Sequence, residues 1–149
     1  MSISSALSVC LWYDGNAEEA ARLYTSLIPN SEITSISPMM VTFTLDGVPF
    51  QALNGGPQFK PTEAASIVIS TKDQEETDRL WSALTADGGS EGRCAWLKDR
   101  FGVSWQIVPQ ILPQLLGAAD RQAADRTLQA MLKMTKIDIK ALESAFNAS

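Results

Sequence analysis

Two glutamines carry the chemistry that this sequence most plainly offers. Gln51 follows Phe50 in "VPFQALN", and Gln106 follows Trp105 in "VSWQIVP", so the same aromatic-amide pair closes two similar segments. An amide offers one carbonyl acceptor and two N–H donors, enough to orient a polar ligand. The other reading is that the two amides bond each other or the backbone across a sheet. Around them, Trp12, Trp96, Trp105, Phe50 and Phe101 alternate on predicted strands and could line one apolar cavity with a few polar fixtures, although strand aromatics also build plain core. Asn54 opens "NGGP", Asn54 to Pro57, where a glycine pair before proline suits either a sharp crossover or an array of backbone donors at a cleft mouth. The remaining acid–base candidates are Asp14 beside Gly15, and Glu63. Lys98 and Asp99 precede a hairpin turn and are expected to be solvated, with Lys98 as a partner for an anionic ligand.

What is missing narrows the chemistry further. The chain has no histidine, so HExxH-type zinc hydrolysis and Ser-His-Asp or Cys-His catalysis are excluded for it acting alone. Cys10 and Cys94 are the only cysteines; they are not spaced as CxxC and read as small buried apolar residues.

The elements that must hold these residues are written twice. "NAEEAARLYTSL", Asn16 to Leu27, returns 57 residues later as "DQEETDRLWSAL", Asp73 to Leu84, with Glu18/Glu75, Glu19/Glu76, Arg22/Arg79, Leu23/Leu80 and Leu27/Leu84 in register. Each copy starts with an Asx residue followed three positions later by glutamate, which predicts a capping box on each helix. Leu23, Tyr24 and Leu27 in one, and Leu80, Trp81 and Leu84 in the other, give each helix a buried stripe. A strand-like run precedes each helix, "LSVCLWY" and "ASIVIST". After the first helix come "SEITSIS", "MVTFTL", the turn Asp46-Gly47 and "VPFQALN"; after the second, "GRCAWLKD", a turn around Arg100 to Gly102 and "VSWQIVP". Two βαβββ modules are predicted, about residues 5–57 and 62–110, within a single domain of 149 residues. A tail, 111–149, adds "ILPQLLG", a helix over Asp120 to Met134 and a final helix capped by Asp138. It is expected to cover a sheet edge or pack on a second subunit, giving a twofold homodimer.

A chain of this size buries roughly 70% of its unfolded surface and needs no staples. Net charge is −5, with Lys and Arg scattered, which argues against nucleic acid and membrane surfaces as partners. No apolar run approaches the ~20 residues of a spanning helix, and no basic start resembles a signal peptide, so the expected location is the cytoplasm.

The repeat, with "CLWYDGNAEEAARLY", "FQALNGGPQFKP" and "CAWLKDRFGVSWQIVP", resembles the PhnB-like branch of the vicinal oxygen chelate superfamily, which includes glyoxalases, bleomycin-resistance proteins and extradiol dioxygenases. The resemblance runs from about Leu7 to Pro109. It implies an α+β fold, two βαβββ modules forming a curved mixed sheet around a cleft, with the C-terminal helices added. Members of this branch often carry the label 3-demethylubiquinone-9 3-methyltransferase, yet the chain has no glycine-rich strand-to-helix turn to seat S-adenosylmethionine. Metal-dependent relatives take one ligand from the first strand and one carboxylate from the last strand of each module. The matching positions here fall at Gln51 and Gln106, and near Leu7 and Ala65 or Ser66. Amide and apolar side chains make a poor divalent-ion site, so the resemblance implies no metal and no cofactor. The expected function is binding of a small organic ligand in an apolar cleft by Trp12, Phe50, Gln51, Asn54, Trp96, Phe101, Trp105 and Gln106. The alternative is a lyase, dioxygenase or isomerase of the superfamily, or a methyltransferase as the label says.

Overall fold

The computed structural model describes residues 5–149. In chain order it runs β1 (Val9–Tyr13), α1 (Ala17–Leu27), β2 (Glu32–Ile36), β3 (Met40–Leu45), β4 (Val48–Asn54), β5 (Ser66–Thr71), α2 (Gln74–Thr85), β6 (Ser90–Glu91), β7 (Trp96–Lys98), β8 (Ser104–Pro109), α3 (Ile111–Leu116), α4 (Arg121–Met131) and α5 (Ile139–Asn147). The two predicted βαβββ modules are present. The chain divides between Pro61 and Thr62 into two compact units, and the C-terminal helices belong to the second.

Each unit owns a four-stranded mixed sheet with the same topology, β1-β4-β3-β2 in the first and β5-β8-β7-β6 in the second. First and last strands pair in parallel, setting Cys10 opposite Gln51 and Val68 opposite Gln106. The other pairs are antiparallel. Alternation along the strands then gives each sheet one face toward its own helix and one away from it.

In the first unit the helix-facing side holds Tyr13, Val41, Phe43, Phe50 and Ala52, all buried. Tyr13 and Tyr24 of α1 meet hydroxyl to hydroxyl at 3.0 Å, and Phe43 stacks on Phe50 with ring centroids 5.5 Å apart. Asp46 and Gly47 both take positive φ, 49° and 79°, the conformation of a type I′ hairpin turn. In the second unit Leu97, Trp105 and Ile107 fill the same side, and Thr71 reaches Thr77 of α2 hydroxyl to hydroxyl at 2.7 Å.

The two helices start differently. Asp73 accepts from the Glu76 N–H at 2.9 Å while the Glu76 carboxylate accepts from the Lys72 N–H at 2.9 Å, a variant of the expected capping box in which the glutamate reaches the amide one residue before the cap. Asn16 makes no such bond. Its place is taken by Asn54 at the end of β4, whose Oδ1 accepts from the Ala17 N–H at 2.9 Å. A residue 37 positions away thus caps α1, which local spacing does not reveal.

The tail packs on the second unit through a cluster of Ala95, Leu112, Ile137 and Leu142. Gln74 clamps it from α2, donating to the Ile137 carbonyl at 3.0 Å and accepting from the Ile139 N–H at 2.8 Å. The Lys136 ammonium lies 2.8 Å from Asp78. The N–H groups of Cys94 and Ala95 donate to the carbonyls of Met134 and Thr135, holding two non-glycine residues at positive φ, 54° and 80°. Asp138 caps α5 as predicted, and Asp120 caps α4, which ends at Met131 rather than running on to Met134. Among the described residues no helix is long and apolar enough to cross a membrane.

Candidate functional site: the sheet face away from the helix

In the second unit this face carries two cross-strand rows. Ser66, Ser104, Lys98 and Ser90 stand opposite one another across β5, β8, β7 and β6, and Val68, Gln106 and Trp96 form the next row. Gln106 Nε2 donates to Ser66 Oγ at 3.0 Å. Lys98 Nζ lies 3.1 Å from the Glu63 carboxylate, and Glu63 is held below the usual carboxylate range first by a backbone N–H and then by that ammonium. A cavity of about 490 Å³ opens here, walled by Glu63, Ser90, Trp96, Lys98, Ser104 and the turn from Glu91 to Arg93. Ser104 is 1% exposed, and its hydroxyl has no hydrogen-bond partner. A buried polar atom without a partner is uncommon in folded proteins and marks a place where a donor or acceptor would be welcome.

The first unit presents a different row on the corresponding face: Cys10, Gln51, Thr42 and Ser35. Thr42 Oγ1 lies 2.6 Å from Ser35 Oγ and 2.7 Å from Thr34 Oγ1. Trp12 lies on this face too, its indole N–H donating to the Gly56 carbonyl at 2.9 Å and its ring meeting Phe59 edge-on at 4.9 Å. The backbone of Gly55 presses on the indole so closely that a Cβ there would come within 2.2 Å of the ring. The N–H groups of Gly55 and Gly56 both donate to the Tyr13 carbonyl, so the glycine pair makes a crossover rather than a free donor array.

Of the eight residues expected to touch ligand, Trp96, Gln106, Trp12 and Gln51 lie on these faces. Phe50 and Trp105 lie on the opposite side, 7% and 0% exposed, as core. Asn54 spends its carbonyl on α1 and its NH2 on the Pro38 carbonyl. Phe101 sits half-buried in the β7–β8 turn with its N–H bound to Asp99. Asp14 and Cys10 are exposed, and Cys94 is half-buried; the expectation of two buried thiols is corrected, because Cys10 falls on the uncovered face of β1. Asp99, expected in solvent, is 2% exposed. One carboxylate oxygen accepts from the N–H groups of Phe101 and Val103, the other from Trp105 Nε1 at 2.9 Å. An Asx residue binding the amide two positions on is a familiar turn signal; the burial comes from the indole of Trp105, which only the register reveals.

The register also refines the positions that would ligate a metal in this fold. Ser66 bonds Gln106, and since Cys10 and Val68 hold equivalent places, the matching residue two before Cys10 is Ser8. In the first unit Ser8 and Gln51, and in the second Ser66 and Gln106, are neutral side chains without a carboxylate, imidazole or thiolate, and Gln106 is already engaged. Neither pair is a donor set that suits a divalent ion. Among the described residues no group of three or more His, Cys, Asp or Glu could hold one.

Comparison with known proteins agrees with this fold. The family model described as 3-demethylubiquinone-9 3-methyltransferase matches residues 5–108, leaving α3–α5 outside it. A solved PhnB protein from Bacillus cereus, titled a 3-demethylubiquinone-9 3-methyltransferase, is 31% identical, with 70% of this chain and 99% of that one covered and a TM-score of 0.65. A glyoxalase/bleomycin resistance protein from Albidiferax ferrireducens (17% identity; 71% and 99% covered; TM-score 0.52) and the fosfomycin resistance protein FosX from Listeria monocytogenes (16%; 72% and 91%; 0.52) share the fold. No protein among the curated ones matches. The chain belongs to the 3-demethylubiquinone-9 3-methyltransferase family, with a PhnB protein among its relatives and the glyoxalase/bleomycin resistance fold.

Proposed function

We propose that this protein binds a small organic molecule on the sheet face away from α2, with Trp96 as the apolar wall, Lys98 and Ser104 as polar fixtures and Gln106 beside Trp96 in the next cross-strand row, and that binding requires no divalent metal. The observation that carries the reading is the cavity of about 490 Å³ over that face, a volume within the range of small-molecule sites. The neutral donor set supports the metal-independent form, since superfamily chemistry that polarises a substrate through a metal lacks its anionic ligands here. In the first unit Trp12 and Gln51 occupy the corresponding face and are the next contacts to probe.

The test is a thermal-shift screen of aromatic and apolar compounds, run with and without a chelator, with hits followed by calorimetry. A ligand at a hundredfold excess over its dissociation constant raises stability by about 2.7 kcal/mol, and Trp96→Ala should remove the shift. Stabilisation that vanishes on chelation, or that survives Trp96→Ala unchanged, would overturn the reading.

A further inference from the structure

Resting on that reading, we infer that the cavity selects organic anions: a carboxylate seated between Lys98, Ser104 and Ser90, with an aromatic or apolar body against Trp96. Three observations converge on it. The row Ser90, Lys98, Ser104 places one ammonium between two hydroxyls on adjacent strands, donors that match a carboxylate's two oxygens. The Ser104 hydroxyl is buried in the cavity wall and lacks a partner, so a bound oxygen would complete it. The third is the Glu63 carboxylate, which already sits on Lys98 at 3.1 Å although its own side chain is 66% exposed.

Glu63 is thus a carboxylate of the chain's own in the place of the ligand's. An exposed ion pair of this kind is weak and readily exchanged, so an incoming carboxylate can take the ammonium and release Glu63 to water. The other charges at the rim are each tied to a neutral group: Glu91 accepts from Trp81 Nε1 at 2.7 Å, and Arg93 donates to the Leu132 carbonyl at 3.2 Å. Lys98 is the cation that stands on the sheet row itself, between Ser90 and Ser104.

The experiment compares 2-naphthoate, 2-naphthamide and 2-naphthylmethylamine by calorimetry on the full chain and on Lys98→Met, Ser104→Ala and Glu63→Gln, each shown to be folded by its melting curve. The expected order is naphthoate ahead of both analogues. Lys98→Met and Ser104→Ala should each weaken naphthoate by about tenfold or more while leaving naphthamide unchanged. Glu63→Gln should tighten naphthoate, because it removes the competing charge, and its effect should shrink at high salt. Equal binding of acid and amide, or a Glu63→Gln variant that binds naphthoate more weakly, overturns the anion inference and leaves the ligand-binding reading standing. If none of the three compounds nor any screened ligand binds, both fall.

Discussion

The two units repeat one backbone plan and disagree in almost every polar detail. Sheet order, parallel pairing and the position of the glutamine are the same, because the apolar alternation and the helix stripe that specify them recur in both halves. The turns differ: a two-residue Asp46-Gly47 turn in the first unit, and in the second a longer one gathered around buried Asp99. The helix faces differ as well, since Gln74 and Asp78 of α2, which hold the tail, correspond to buried Ala17 and Ala21 of α1. A duplicated scaffold can therefore keep its hydrophobic code while each copy acquires its own polar anchors.

Substitutions made in pairs, one per unit, can break this contrast. The largest effect is expected at Asp99→Asn, where an NH2 replaces an oxygen that accepts from Trp105 Nε1 or from two backbone amides. Stability should fall by about 2–4 kcal/mol, whereas Asp46→Asn should stay within about 0.5 kcal/mol. Urea unfolding of both variants decides it; equal losses would mean that the two turns are energetically alike. A smaller contrast lies at the helix starts: Asp73→Ala should cost about 1 kcal/mol and Asn16→Ala a few tenths, with the cost in the first unit moved to Asn54→Ala. Equal losses at Asp73 and Asn16 would contradict the cap taken over by β4.

Acidity gives the smallest and most local effect. Lys136, then Gln74, hold Asp78 below the usual aspartate range. A carboxylate so lowered stabilises the fold above its unfolded value, roughly 3.9, and that contribution is lost as pH falls through the lower folded value. Hydrogen exchange, corrected for intrinsic rates, should show α5 losing protection in that acidic window before α1 does. Unchanged protection of α5 there would remove the ionic part from the tail's attachment.

Most of the fold was legible because it follows from short-range pattern. Most strands, both principal helices, the Asp46-Gly47 turn and the caps Asp73 and Asp138 lie where alternation and Asx spacing place them; the two-residue β6 and the late start of β7 at Trp96 do not follow from that pattern. Features set by register escaped. Asn54 as the cap of α1, Asp99 beneath the Trp105 indole and the serine partner of Gln106 each depend on which strand lies next to which. The candidate site was legible in its residue types and only partly in its geometry. Phe50 and Gln51 are neighbours in sequence and face opposite ways, so a list of aromatics near a glutamine mixes core with surface until the strand's two sides are assigned.

The Gln74 clamp has a consequence for how the molecule is made. It joins residues 63 and 65 positions apart, and its far side leaves the ribosome only after every strand of the second unit has been made. Until Ile139 has emerged, the amides of Cys94 and Ala95 and the apolar side of Leu112 wait uncovered, a window during synthesis in which the second half is the vulnerable one.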